Sequence, residues 1–221
     1  MRLGPGEWAV ILLSAVLLAG YGAGYVLNRR RAQELVLWLQ RGLSPWGTVQ
    51  AGGKLPGLVT GGRLRVPAAA APFRHIEVTY VLAPRENLPF WVIHRLRGKG
   101  DEVLVHITAR RRPRLEVRVL PRSGTAAPTL YDQGRAFAHA FSTPTYHVYC
   151  RGELPCPEEV LRGMLQLLPE GIHAFAVHEE SPHVRLRVDA RPLVARSPQE
   201  VWDTLARVVG EVIGKPTEQA M

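Results

Sequence analysis

An apolar stretch near the N-terminus constrains this chain more than any other feature of its sequence. Residues 8–27 contain no charged side chain, and Arg29, Arg30 and Arg31 follow almost directly. A helix rises about 1.5 Å per residue and the hydrocarbon core of a bilayer is about 30 Å thick, so a stretch of this length spans it once. Arginines mark the cytoplasmic flank of such helices. The sequence therefore predicts an anchor, residues 1–28, in the cell membrane, with the N-terminus outside and the rest of the chain in the cytoplasm.

Two other interpretations of the apolar stretch stay open. A cleaved signal peptide carries its positive charge before the apolar run, whereas here Arg2 is offset by Glu7. The pairs Ala19-Gly20 and Ala23-Gly24 nevertheless resemble the small residues of a cleavage site. A buried core helix is disfavoured, because nothing else in the chain is apolar enough to surround it.

Small residues form one face of the predicted span. Helices approach closely where such residues meet, so this face is a candidate surface for packing against a second helix. The alternative is that glycine and alanine are simply common in membrane helices. The candidate packing residues are Ala15, Ala19, Gly20, Ala23 and Gly24.

The chain is strongly basic, with a formal net charge of +9, and nearly all of its basic residues are arginines. Anionic partners such as lipid headgroups, RNA or an acidic protein surface fit this charge. A second dense group of arginines follows a predicted strand, and it is either an anion-binding surface or a solvated hairpin tip. No aromatic residues are interleaved with it, so base stacking on single strands is not indicated. The candidate lipid or phosphate contacts are Arg29, Arg30, Arg31, Arg110, Arg111, Arg112 and Arg114.

The sequence contains few residues that carry chemistry. No phosphate-binding glycine loop, nucleophile-elbow serine or paired-histidine zinc motif appears, so we predict neither an enzyme nor a cofactor nor a small-molecule substrate. Cys150 and Cys156 are the two cysteines, and a reducing cytoplasm predicts free thiols. With His147 they lack the four ligands of a closed zinc site.

The remaining chain predicts an α+β fold, in which antiparallel hairpins are covered by helices. Residues 29–62 form a juxtamembrane helix and linker, residues 63–214 the cytoplasmic domain, and residues 215–221 a flexible tail. Two-residue alternation predicts one hairpin over residues 103–119 and another over residues 172–188. Helices are predicted at residues 87–96, 157–168 and 197–214 from caps and 3.6-residue periodicity. The domain is either one unit or two subdomains, residues 63–122 and 136–214.

One segment resembles a known family. Arg85-Glu86-Asn87-Leu88, followed by Leu96-Arg97-Gly98, Asp101 and Val103, is similar to the helix start, helix end and following strand of the calumin family. Calumin is the coiled-coil-domain membrane protein of the PAT complex in the multipass translocon. The order of the later elements, from the helix at residues 157–168 to the last helix, is also similar. The family's acidic lumenal segment and its long charged coiled coil have no counterpart here.

The resemblance implies a domain that works beside a protein-insertion machine and helps partly hydrophilic membrane helices assemble. It implies partner-binding roles for Arg85, Leu88, Arg97 and Asp101, with insertion machinery, other membrane proteins and the ribosome as candidate partners. Calcium binding and ribosome contacts of the coiled coil are not implied. The leading hypothesis is thus a non-enzymatic protein-binding domain on a single-pass anchor. The alternative is a membrane-tethered scaffold that docks on anionic headgroups through its arginine clusters.

Overall fold

The computed structural model describes residues 4–53, 61–122, 131–132, 135–168 and 171–213. The predicted tail, residues 215–221, and part of the predicted linker, residues 54–60, lie outside the described residues. A long N-terminal apolar helix is followed by a nine-stranded antiparallel sheet and further helices. The predicted α+β fold class is confirmed.

The predicted anchor and the juxtamembrane helix are one continuous helix, α1, which runs over Pro5–Leu43. Within the described residues, α1 is the one helix that is long and apolar enough to cross a membrane. Its N-terminal half is exposed, whereas its C-terminal half buries Leu35, Trp38 and Leu39 in the core of the domain. A short 3-10 helix, Ser44–Trp46, ends it. The α+β domain is therefore built directly onto the end of the long apolar helix.

The nine-stranded sheet has the strand order β1-β2-β3-β4-β11-β10-β5-β9-β8, and every neighbouring pair is antiparallel. The two candidate subdomains are interleaved in this order. A separate pair is formed by β6 and β7. The strands are β1 (Gln50–Ala51), β2 (Gly61–Val66), β3 (Phe73–Val81), β4 (Glu102–Ala109), β5 (Leu115–Pro121), β6 (Tyr131–Asp132), β7 (Arg135–Ala136), β8 (Ala138–Ser142), β9 (Tyr146–Gly152), β10 (Ile172–Val177) and β11 (Val184–Asp189).

Alternation along the strands separates a buried face from a polar face. On β4, for example, Val103, Val105 and Ile107 are buried while the residues between them are half exposed. The helices after α1 are α2 (Leu88–Leu96), α3 (Glu158–Leu167), α4 (Ala190–Val194) and α5 (Pro198–Ile213). The buried side chains of the strands join those of α1, α3 and α5 in one hydrophobic cluster.

The predicted hairpin over residues 103–119 is wrong. β4 pairs with β3 and β11, and β5 pairs with β10 and β9, so the β10–β11 hairpin lies between them. The connecting segment does not close a tight turn, because the Arg110 N–H donates to the Pro72 carbonyl and the Arg114 N–H to the Val212 carbonyl. Two-residue periodicity fixes which face a strand buries, but it does not identify its neighbours. The predicted hairpin over residues 172–188 is confirmed.

Two buried tryptophans differ in one hydrogen bond and provide a test of how α1 is attached. The Trp38 indole N–H donates to the Arg196 carbonyl at 2.8 Å, whereas the Trp202 indole N–H has no hydrogen-bond partner among the described residues. We expect Trp38→Phe to lower the free energy of unfolding by about 1 kcal/mol more than Trp202→Phe, since both remove the same atoms but only one breaks a hydrogen bond. Urea unfolding of the full chain in detergent micelles measures this difference. Equal losses would contradict the hydrogen-bonded attachment.

Candidate functional site

A hairpin-like segment, residues 83–100, lies beside α1 and contains three of the four residues singled out by the family resemblance, while the fourth, Asp101, follows it directly. At its base, Arg85 and Asp101 form a two-pronged ion pair, with Nη1–Oδ1 at 2.7 Å and Nη2–Oδ2 at 2.8 Å. The same Asp101 Oδ1 accepts the Ala83 N–H at 2.8 Å. Paired charged hydrogen bonds of this kind fix geometry strongly. The ion pair therefore clamps the two ends of the segment together.

Asn28 of α1 joins this ion pair, and it is a residue that the sequence analysis did not single out. Its side chain is 2% exposed, its amide nitrogen donates to the Ala83 carbonyl at 3.0 Å, and its amide oxygen accepts from Arg85 Nη1 at 2.8 Å. The amide nitrogen also donates to Glu86. Asn28 follows Gly20 and Gly24 at four-residue spacing, which places all three on one face of the helix. The four-residue spacing from Gly20 and Gly24 is the feature of the sequence from which Asn28 could have been predicted as part of this face.

Gly20 and Gly24 bring the segment into close contact with α1. A Cβ atom on Gly24 would overlap the Arg85 carbonyl, and one on Gly20 would overlap the Leu88 side chain. Of the predicted packing residues, Gly20 thus meets the first residue of helix α2 (Leu88–Leu96) and Gly24 meets the turn before it. Ala15, Ala19 and Ala23 are exposed.

Helix α2 leaves most of its apolar side chains uncovered. Asn87 caps its start by accepting the Phe90 N–H at 3.3 Å, and Pro89 occupies the first turn. The exposed fractions are 58% for Phe90, 46% for Val92, 44% for Ile93 and 82% for Leu96. The predicted partner residue Arg97 is also exposed, whereas Leu88 is half-buried against Gly20. The segment therefore combines a polar base with an apolar outer surface.

The juxtamembrane arginines lie next to this segment. Arg29, Arg30 and Arg31 are exposed on α1, and Arg31 lines a cavity of about 630 Å³ together with Arg95 and Lys99. Five basic residues face three acidic ones in this cavity, because Arg31, Arg85, Arg95, Lys99 and Arg191 are accompanied by Glu34, Asp101 and Asp189. The surplus of positive charge suits an anionic group.

The second predicted arginine group lies at the other end of β4 from Asp101, a separation of about 26 Å for a strand of this length. Arg110 has a structural role, because its guanidinium donates to the Phe73 and Ala69 carbonyls at 2.9 Å. Arg112 and Arg114 line another cavity, in which four arginines face four glutamates. Arg111 is exposed. The two arginine groups do not form one continuous surface.

Cys150 and Cys156 form a disulfide, so the prediction of free thiols is wrong for this structure. The end of β9 and the turn after it bring the two Cα atoms to 6.0 Å, within the usual range for a disulfide. Sequence spacing alone gave no sign of this turn. Among the described residues, no group of three or more histidine, cysteine or acidic side chains is arranged to hold a metal ion.

Histidine burial predicts a loss of stability at mildly acidic pH. Burial, aided by Arg112, lowers the pKa of His183, whose Nδ1 accepts the Ala109 N–H at 2.9 Å. Burial and Arg185 likewise lower the pKa of His106. The unfolded chain then binds more protons below about pH 6.5, so stability present at neutral pH is lost as the pH falls.

We therefore expect the free energy of unfolding to decrease as the pH is lowered from 7.5 to 5.5. His183→Asn keeps an acceptor for the Ala109 N–H and should make this dependence of the unfolding free energy on pH less steep. Urea titrations at several pH values measure it. An unchanged slope in the variant would assign the pH dependence elsewhere.

No protein-family model matches the sequence, and no curated protein is significantly similar to it.

Proposed function

We propose that this chain is a non-enzymatic, single-pass membrane protein whose α+β domain binds other proteins and assists the insertion or assembly of membrane proteins. The supporting observation is the continuity of α1, which enters the domain core through Leu35, Trp38 and Leu39. A domain built onto its anchor in this way is held at a fixed place and angle to the membrane. Such a domain can present a binding surface to proteins in the same bilayer.

The polar face of the sheet is the surface that we assign to protein partners. It carries charges of both signs, including the pair Arg187–Glu102 and the pair Arg65–Glu77. Arg185, on the central strand β11, is exposed on this face. Mixed charges favour a polar protein surface over a uniformly anionic polymer, because a partner with a complementary pattern pairs with both signs.

Affinity purification of the full chain from detergent tests the proposal. We expect translocase, insertase, ribosomal or nascent membrane proteins to be enriched over an unrelated single-pass protein. Arg185→Glu should decrease this enrichment, whereas Arg207→Glu, on the exposed side of α5, should not. Absence of any such protein above the control, or equal retention by both variants, would refute the proposed function.

We place the domain in the cytoplasm on the basis of Arg29, Arg30 and Arg31 after the span. The disulfide favours an oxidising compartment instead, so the two observations predict opposite orientations. Alkaline phosphatase fused after residue 221 is active only outside the cytoplasm. We expect the fused phosphatase to be inactive, and we expect both cysteines to react with an alkylating reagent that is added as the cells are lysed. An active phosphatase together with an oxidised cysteine pair would show the opposite orientation.

Docking on anionic headgroups is a second candidate function, supported by the positive surplus in the cavity beside α1. Reconstituted full-length chain should retain phosphatidylglycerol over phosphatidylcholine during delipidation. The double variant Arg95→Gln and Lys99→Gln should lose this preference, and Arg111→Gln, at the distant group, should keep it. A preference unaffected by the double variant would exclude this cavity as the headgroup site.

A further inference from the structure

The segment formed by residues 83–100 rises alongside the membrane-spanning part of α1 and returns. Its base lies at Asn28, which contacts Ala83 and Arg85, and its upper end lies at Gly20, which contacts Leu88. Gly20 precedes Asn28 by eight residues, equivalent to about 12 Å along the helix. The C-terminal end of α2 returns to the level of Arg31, since both line the same cavity.

Side chains along α2 change from apolar to basic in the same direction as those along α1, from the apolar stretch towards the arginines. The first part of the helix, next to Gly20, is apolar from Leu88 through Ile93. The basic residues Arg95, Arg97 and Lys99 follow at the end that lies near Arg31. Apolar residues thus lie beside the apolar stretch of α1, and basic residues lie beside its arginines. Long basic side chains extend to headgroups in this way at the edge of a bilayer.

We infer that α2 is a second membrane-inserted element, whose apolar face is covered by the acyl chains of the leaflet nearest the domain and whose basic end lies among the headgroups. Four large apolar side chains of a nine-residue helix are 44–82% exposed in the chain itself. Such a cluster is unfavourable in water and favourable in lipid. The exposed apolar face of α2 lies beside the exposed apolar side chains of α1, so the same lipid that surrounds α1 covers this face.

The polar groups at the base of the segment are compatible with this position. Helix α2 hydrogen-bonds its interior backbone, Asn87 accepts the Phe90 N–H at its start, and three carbonyls of its last turn accept N–H groups of residues 97–99, as lipid requires. Arg85, Asp101 and Asn28 pair with one another, and the Asn28 amide also donates to the Glu86 carboxylate, so each of these polar side chains has a hydrogen-bond partner at the boundary of the bilayer. The inference rests on α1 spanning the membrane and not on the identity of any protein partner.

Collision accessibility of spin labels tests the inference on the full chain in phosphatidylcholine vesicles containing phosphatidylglycerol. Phe90→Cys and Ile93→Cys are labelled in separate chains, so that a folding defect in one leaves the other informative. Cys150 and Cys156 are replaced by serine in every labelled chain, so that only the introduced cysteine takes the label. Leu12→Cys on the exposed face of the span is the lipid reference, and Glu211→Cys on α5 is the aqueous reference.

We expect both α2 labels to collide with oxygen several-fold more than with a water-soluble nickel chelate, as at Leu12. Collision with nickel equal to that at Glu211 would place α2 in water and overturn the inference. Low collision with both reagents would show that protein covers α2, and would overturn it as well. Binding of α2 to lipid and binding of the sheet face to proteins are read out separately, so either proposal can fail alone.

Discussion

Replacing Asp101 with alanine is expected to lower the free energy of unfolding by about 3 kcal/mol. The substitution removes both prongs of the Arg85 ion pair and the acceptor of the Ala83 N–H. The side chains of Arg85 and Asp101 are only 22% and 14% exposed, so the guanidinium left behind is poorly solvated. Removing one partner of a largely buried pair costs more than the pair itself contributes. Urea unfolding of the full chain in detergent micelles measures the change.

The exposed pair Arg114–Glu153 is the matched control for this substitution. Its side chains are 53% and 80% exposed, so Glu153→Ala should cost well under about 1 kcal/mol. Asp101→Asn should have an intermediate effect, because the amide still offers an acceptor to Ala83. Equal small losses at positions 101 and 153 would mean that the clamp at the base of residues 83–100 contributes little.

Replacing Gly24 with alanine is expected to cost about 2 kcal/mol and to displace α2 from α1. The added methyl group would overlap backbone atoms of Arg85 and Glu86. Asn28 restrains this stretch through hydrogen bonds to the Ala83 carbonyl and to the Arg85 and Glu86 side chains, so the backbone cannot move away freely. Gly20→Ala should cost less, because the overlapped atoms belong to the end of the flexible Leu88 side chain. Thermal unfolding and the distance between spin labels on Leu12→Cys and Ile93→Cys measure the two effects.

Gly22 provides a control on the same helix. A Cβ atom there would have no heavy atom within 4 Å, so Gly22→Ala should be neutral or slightly stabilising, because alanine has the higher helix propensity. If Gly22→Ala and Gly24→Ala lowered the free energy of unfolding equally, the effect would come from a change within helix α1 itself. The close approach of residues 83–100 to α1 would then be unsupported.

Local patterns in the sequence predicted helices and strands of this fold, but they did not predict which strands pair across long distances in the chain. The capping-box pattern that begins at Ser197 and the stripe through Val201 and Leu205 predicted the start of α5 to within a residue, while the predicted end at Gly214 lies outside the described residues. The β10–β11 hairpin was predictable because its strands are joined by a short turn. The insertion of that hairpin between β4 and β5 was not, because alternating valines fit any neighbour that shares the same buried face.

Several residues of the candidate site were singled out from the sequence, but neither Asn28 nor the assembly of the site was predicted. Gly20 and Gly24 were identified as a packing surface, and Arg85, Leu88 and Asp101 as binding residues, by separate lines of reasoning. The structure joins Arg85 and Asp101 to Asn28 at the base of the segment and packs Leu88 against Gly20 at its upper end, with Gly24 against Arg85 between them. A single asparagine just past an apolar stretch is indistinguishable in sequence from the first residue of a polar segment. Its buried, fully hydrogen-bonded state depends on atoms 55 residues or more away in the chain.

The uninterrupted path of α1 from span to core has a mechanical consequence. Residues 28–41 contain neither glycine nor proline, which are the usual positions of sharp bends in helices. A membrane-spanning helix adjusts its tilt when the hydrocarbon thickness around it changes. Because α1 is stiff and its end is locked in the core, that tilt is passed to the entire sheet. The thickness of a surrounding bilayer would thereby set the angle between the sheet and the membrane plane.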